Sequence, residues 1–315
     1  MSRELFSTLR VVSLPTKTNF RGVTHREVAL FKGEYGWGEF SPFLEYGSLE
    51  CLPWLQSAIA AASQPIPKLF RNKVKVNGTI PALTDKSEIK EIIDSFPGVK
   101  TFKVKVGSNL SEDIARLAII RGLGRKINIR IDVNGSWSVE TALKNLYAMY
   151  EEVGVFEYVE QPCATLEELR ELKRKINIPL VIAGDEILRK AVDPFAVDLN
   201  GAVDVLALKV APLGGIERAQ KLAAHHKLPI VVSSALESAV GISFGLKLAA
   251  SFEEMKFDCG LGTGSLMAQD VAHLPIIDGE IAVADVDPEF EKFLVSPERH
   301  NWWQDRIMKT WELMA

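Results

Sequence analysis

The chain carries chemistry-bearing residues at a nearly constant interval. Taking the polar residue, or the glycine, near the end of each apolar, β-rich run gives Asn77, Lys105, Asp132, Glu160, Asp185, Lys209, Ser233 and Gly260. The steps between them are 28, 27, 28, 25, 24, 24 and 27 residues. Three of the eight are carboxylates, Asp132, Glu160 and Asp185, and no histidine or cysteine enters the pattern. Hard oxygen donors select a hard cation, so this triad predicts Mg²⁺, with Mn²⁺ as a substitute, rather than zinc. Lys105 stands one step before the triad and Lys209 one step after it. An amine on each side of a metal-held carboxylate suits removal of a proton α to that carboxylate, with the developing charge held by the metal and the lysines. Lys103 lies two residues before Lys105, so in a strand the two side chains share a face. A second ammonium there disfavours the charged form of its neighbour, which is what a general base requires.

These residues need elements that bring them together. Apolar runs at 75–82, 100–107, 127–135, 156–162, 179–186, 203–210, 229–238 and 256–264 read as eight strands. Segments with apolar residues at helical spacing lie between them, among them 111–123, 138–152, 166–175 and 216–227, several with Ser or Thr near the start. Strand and helix alternating eight times predict an α/β chain with a (β/α)₈ barrel. An equal step gives every residue of the row the same place in its unit, so all converge at the C-terminal mouth of the barrel. The expected division is a barrel over 74–287, an N-terminal α+β cap over 1–73, and a C-terminal segment 288–315 packed back on the cap. Within the cap, 9–15 and 23–33 read as strands and 49–62 as a helix, with 63–67 as the linker. Trp302, Trp303 and Trp311 read as core of that unit rather than as a ligand platform.

Composition narrows the classes of partner. The 315 residues include 37 Lys+Arg and 41 Asp+Glu, a net charge of −4, which gives no electrostatic reason to expect nucleic acid or an anionic membrane. A hydrophobic share of 47% supplies a large core and excludes disorder as the main state. Cys51, Cys163 and Cys259 are too far apart for a metal or redox motif and read as reduced thiols. No run of about 18 apolar residues occurs and the N-terminus lacks a signal-like stretch, so a cytoplasmic protein is expected. His225 and His226 are adjacent on a helix end, about 100° apart, and make a poor metal clamp.

Five motifs carry a family resemblance. Lys103-Val104-Lys105-Val106-Gly107, Arg130-Ile131-Asp132-Val133-Asn134, Glu160-Gln161-Pro162, Asp185-Glu186 and Lys209 resemble, in order and spacing, the muconate-lactonising branch of the enolase superfamily. Segments 36–45 and 233–241 look most like the o-succinylbenzoate synthase family within it, especially its shorter actinobacterial form. The resemblance implies a cyclohexadiene carboxylate bearing a hydroxyl and a succinyl group, dehydrated to an aromatic ring in menaquinone biosynthesis. It implies that Lys105 takes the α proton and returns it to the leaving hydroxyl, while Lys209 is a cation on the opposite face. Asp132, Glu160 and Asp185 would hold the metal, and backbone at Ser233 and Gly260 would hold the succinyl carboxylate.

Asn134 belongs to the same motif, and Arg130 reads either as a substrate-side contact or as a structural ion pair. A cap loop around Phe20 and Arg21 would exclude water. Ile187 departs from the family, where many relatives carry Ser. The same site in relatives racemises N-succinylamino acids or epimerises dipeptides, so those activities are the alternative. A Schiff-base aldolase without metal and a non-catalytic binder are the readings from other classes.

Overall fold

The structure is a computed structural model that describes residues 3–20, 22–107 and 109–314. Strands β1 (Arg10–Phe20), β2 (Val23–Gly33) and β3 (Gly36–Phe40) form an antiparallel sheet in that order. Successive side chains of a strand point to opposite faces, and here both faces are apolar. Val12, Leu14, Val28 and Leu30 join the core of the barrel, whereas Val11, Ala29 and Phe31 pack with Trp54, Leu55 and Ile59 of helix α1 (Ser48–Ser63). Close approach of α1 requires glycine: a Cβ on Gly38 would stand 2.1 Å from the carbonyl oxygen of Ala58.

After β4 (Lys73–Lys75), strands and helices alternate. They are β5 (Gly78–Ile80), α2 (Lys86–Asp94), β6 (Thr101–Lys105), α3 (Leu110–Gly122), β7 (Asn128–Asp132), α4 (Val139–Val153), β8 (Tyr158–Glu160) and α5 (Leu166–Lys175). Then come β9 (Ile182–Gly184), the single turn α6 (Glu186–Arg189), β10 (Val205–Lys209), α7 (Ile216–His226), β11 (Ile230–Ser233) and α8 (Ala239–Ala250). Helix starts follow their caps: Asn109, Ser138 and Thr165 each accept backbone N–H groups of the first turn. In α5, Glu167 and Glu168 open the helix and Lys173, Arg174 and Lys175 close it, as the helix dipole favours.

Strands β5 to β11 form one parallel sheet in sequence order. Its edges are joined by the segment around Cys259 and Gly260, which bridges Val76 on one side and Ser233 on the other, closing a (β/α)₈ barrel. The eighth apolar run therefore gives two bridging residues instead of a full strand. Gly260 already stands where a Cβ would lie 2.5 Å from Ser233 Oγ, and the chain turns into a 3₁₀ turn at Gly262. Strand alternation sorts the barrel into two layers. Phe102, Val104, Ile129, Ile131, Leu206 and Leu208 belong to the core beneath the helices. Tyr158, Ala183, Val205, Ala207, Val231 and Phe257 fill the interior below the mouth.

Strand β12 (Glu280–Ala282) pairs with β4, and helix α9 (Pro297–Glu312) packs against α1. Trp303 is fully buried and donates its indole N–H to Glu27 Oε2 at 2.6 Å. Trp311 meets Phe6 edge-on at 5.5 Å. Trp302 departs from the core expected of it: it is 40% exposed, with the Arg299 guanidinium 4.0 Å from its ring centre. The three cysteines are buried and free. No helix among the described residues is long and apolar enough to cross a membrane.

Cap and barrel also meet through buried charge at the start of α8. Glu39 of β3 accepts from Ser238 and Gly241 there, and Glu237 lies beside it, with Asp270 accepting the Ala239 N–H. Burial, with the Glu39 charge adding, pushes the carboxyls of Glu237 and Asp270 up to about 7. In the window from their ordinary values up to about pH 7 the folded chain holds protons that the unfolded chain has released, so this contribution to stability falls as pH rises. Thermal unfolding across that window should show Glu237→Gln with a shallower pH slope and a higher Tm at pH 8. An unchanged slope would place the Glu237 carboxyl in an ordinary solvated setting.

Candidate active site

The inward side chains of neighbouring strands meet at the C-terminal mouth. Sheet register sets Lys105 beside Asp132, Asp132 beside Glu160, and Lys209 beside Ser233. Asp185 follows directly on β9, where Gln161 Oε1 accepts the backbone N–H groups of Asp185 and Ile187. Lys105 Nζ lies 3.1 Å from Asp132 Oδ2, Lys103 Nζ 2.8 Å from Glu160 Oε2, and Lys209 Nζ 2.5 Å from Asp185 Oδ2. The Glu160 side chain is sealed from solvent, whereas that of Lys105 keeps 24% exposure, the most open in this network.

Burial and neighbouring charge compete here: the sealed Glu160 carboxyl is raised by burial despite the Lys103 ammonium beside it. Burial alone would push the Asp132 carboxyl up, but the ammonium groups of Lys105 and Lys103 outweigh it and hold it below the usual carboxylate range. Asp185 is also held below that range, burial being overcome by Lys209 and Arg189. Burial disfavours the Lys209 ammonium, yet Asp185 and Glu160 raise its pKa. Lys103 is raised likewise, through Glu160 and Asp132.

Whether these residues fit a metal is tested by their oxygens. Among the described residues no three Asp, Glu, His or Cys side chains stand gathered closely enough to hold an ion. Each carboxylate of the row is instead paired with a lysine. Glu160 Oε1, Asp185 Oδ1 and Glu186 Oε2 nevertheless remain buried without a hydrogen-bond partner, although Arg189 Nε lies 3.3 Å from Asp185 Oδ1. Orphaned carboxylate oxygens in a closed mouth are donors suited to a hard divalent cation.

The other expected contacts divide. Asn134, with φ of +52°, donates its backbone N–H to Asp132 Oδ1 at 3.1 Å and its side-chain amide to Glu186 Oε1 at 3.1 Å. Ser233 and Gly260 bridge each other and line the same cleft as Lys105 and Lys209. Arg21 lies outside the described residues. Arg130 does not reach the cleft. It is fully buried one layer below, with Nε 2.5 Å from Glu157 Oε2, Nη1 donating to Asn77 and the Asp258 carbonyl, and its plane over the Tyr158 ring. Its ion-pair partner Glu157 precedes β8 and so sits below the level of Glu160.

Arg189 was not legible as a site residue. One turn after Asp185 it pairs with Glu186 at 2.7 Å and donates to the Tyr46 hydroxyl at 3.3 Å, which ties the cap to the mouth. Its spacing from Asp185 and Glu186, four and three residues, was the available signal. Phe43, Tyr46 and Trp54 of the cap complete the cleft wall. A wider groove of about 1210 Å³ between the 262–276 segment and Asp287–Phe293 holds none of this network.

A lysine-flanked carboxylate cluster at the mouth of a capped (β/α)₈ barrel defines a barrel enzyme, and comparison with known proteins gives its family. Residues 88–288 match the enolase C-terminal domain-like family and residues 11–62 the enolase N-terminal domain-like family. The chain is 45% identical over 318 residues to o-succinylbenzoate synthase of Mycobacterium ulcerans, covering 99% of this chain and 95% of that one. It is 46% identical over 320 residues to the enzyme of the same name from Mycobacterium leprae, covering 99% and 94%. Muconate lactonizing enzyme from Pseudomonas putida shares the fold with a TM-score of 0.72 at 17% identity, covering 93% of this chain and 97% of that one. The L-Ala-D/L-Glu epimerase from Bacillus subtilis does so with 0.72 at 19%, covering 91% and 98%. The chain belongs to the enolase superfamily, and within it to the o-succinylbenzoate synthase family.

The position of Arg130 can be checked by urea unfolding. Arg130→Met should cost roughly 3 kcal/mol of stability, because it takes the cation from Glu157 and the donor from Asn77 and the Asp258 carbonyl. Unchanged stability with weakened substrate binding would return Arg130 to the cleft.

Proposed function

We propose that the chain is a cytoplasmic, Mg²⁺-dependent hydro-lyase. Its reaction would dehydrate 2-succinyl-6-hydroxy-2,4-cyclohexadiene-1-carboxylate to o-succinylbenzoate in menaquinone biosynthesis. The observation that carries this reading is the placement of Lys105 and Lys209 in one cleft, on strands either side of the Asp132, Glu160 and Asp185 row. Its division of labour is a cap over 1–73, a barrel over 74–287 and a tail over 288–315 that braces the cap.

Asp132, Glu160 and Asp185 would hold the ion, which supplies Lewis-acid charge against the substrate carboxylate. Lys105, as the free amine, takes the proton from the carbon α to that carboxylate. The C–H electron pair moves toward the carboxylate, and its return breaks the C–O bond to the ring hydroxyl. The Lys105 ammonium gives the same proton to the departing hydroxyl, so water leaves and the ring becomes aromatic. One base on one face makes the elimination syn. Lys209 stays charged on the other face, where it offsets the negative charge of the transition state. Lys103, whose Nζ lies 3.8 Å from Asp132 Oδ2, keeps a second positive charge beside Lys105. Asn134 orients Asp132, while Ser233 and Gly260 place the distal carboxylate, with Arg21 of the cap loop as a further contact. Phe43, Tyr46 and Trp54 keep water from the reacting carbon.

The test follows the diene's absorbance with purified protein and Mg²⁺. The wild type should consume the diene and form o-succinylbenzoate, and Lys105→Ala should lose about 10³-fold or more in kcat while still binding substrate. Near wild-type turnover by Lys105→Ala would remove it as the base. If the wild type leaves the diene untouched but exchanges α protons of N-succinylamino acids or dipeptides in heavy water, the racemase or epimerase reading replaces dehydration. Glu160→Gln should lose Mg²⁺ affinity, read by calorimetry, together with activity, and unaltered metal affinity would take Glu160 out of the ligand set.

A further inference from the structure

Glu39 belongs to the cap, yet its carboxylate is spent on the barrel. Oε2 accepts from Ser238 Oγ at 2.6 Å and from the Gly241 N–H at 2.8 Å, while Oε1 accepts from the Ser238 N–H at 3.2 Å and from Ser41 Oγ at 2.7 Å. Ser238 and Gly241 form the opening of α8, so a residue nearly two hundred positions away stabilises that helix end. Gly241 is required for the approach: a Cβ there would stand 2.6 Å from Glu237 Cβ and 2.9 Å from Glu39 Cδ. Arg26, on β2, secures the residues just before. Its Nε donates to the Leu236 carbonyl at 3.1 Å, its Nη2 to the Ser41 carbonyl, and its guanidinium lies 4.4 Å from the Phe43 ring centre.

The loop they grip walls the cleft, which Ser234, Ala235 and Leu236 line together with the lysines. Leu236 has φ of +63°, a left-handed conformation that costs energy for a residue other than glycine and persists only where its surroundings impose it. Two residues earlier, Ser234 Oγ donates to the Gly260 carbonyl at 2.7 Å. The loop is therefore held between the barrel seam and two buried cap charges.

We propose that Glu39 and Arg26 are positioning residues through which the cap fixes the 234–238 loop and so selects the substrate's distal group. This rests on the reading that the loop borders the substrate, as under the proposed function. The mechanism predicts that loosening the clamp weakens substrate binding more than it slows proton transfer, because Lys105 stands on a different strand.

Mass-spectrometric amide hydrogen exchange on the full chain tests the clamp with Glu39→Gln and with the milder Ser238→Ala, alongside KM and kcat for the diene. Both variants should exchange about tenfold faster across 235–241, with 129–132 unaltered. KM should rise about fivefold or more with kcat nearly unchanged. Unaltered loop exchange in either folded variant overturns the proposal, as does a fall in kcat at constant KM. Should the wild type not act on the diene, the dehydratase reading fails alone, and the exchange result still decides the clamp.

Discussion

Burying ionic groups of both signs at one barrel mouth is the constraint on which the structure depends. Lys103, Lys105, Lys209 and Arg189 stand against Asp132, Glu160, Asp185 and Glu186, four cations to four anions. An uncompensated charge in such a place costs several kcal/mol, so each group needs a partner at contact distance. The parallel register provides it, setting one inward charge beside the next. The floor of small and aromatic side chains below, with Tyr158, Ala207 and Phe257, leaves these charges no route away from the mouth. A balance reached through lysines is also exchangeable. Under the proposed function a divalent ion would take over carboxylate oxygens of Asp132, Glu160 and Asp185, leaving the amines to face the substrate.

The cap completes the low-dielectric setting in which those charges act strongly. Its sheet is apolar on both faces, so it seals the barrel with one and holds α1 and α9 with the other. Polar links cross the same boundary, among them Tyr46 to Arg189, and Glu39 with Arg26 to the α8 opening. The wall of the cleft is thus set from outside the barrel that carries the reactive groups.

The row of Lys105, Asp132, Glu160, Asp185 and Lys209 was legible because strand periodicity fixes which face a residue takes, and a constant step fixes its level. Level is lost when the partner is unknown. Arg130 shares its face with Asp132, but only Glu157 and Asn77 show that it lies a layer deeper. The eighth strand was overdrawn because its glycines permit close packing against Ser233 without extending a ladder. Glu39 was hidden for a different reason: its donors belong to a helix end far along the chain, and only the packing of cap on barrel brings them together. Gly241 in the first turn of α8 was the trace it left.

The exchange of partners at the mouth can be seen directly by crystallography with Mn²⁺ in place of Mg²⁺, using the anomalous signal to locate the ion. The expected result is one ion bound by Asp132, Glu160 and Asp185, with Lys103 and Lys209 drawn off their present carboxylates. Saturating metal that leaves the lysine pairs intact, or that binds elsewhere, would contradict the site.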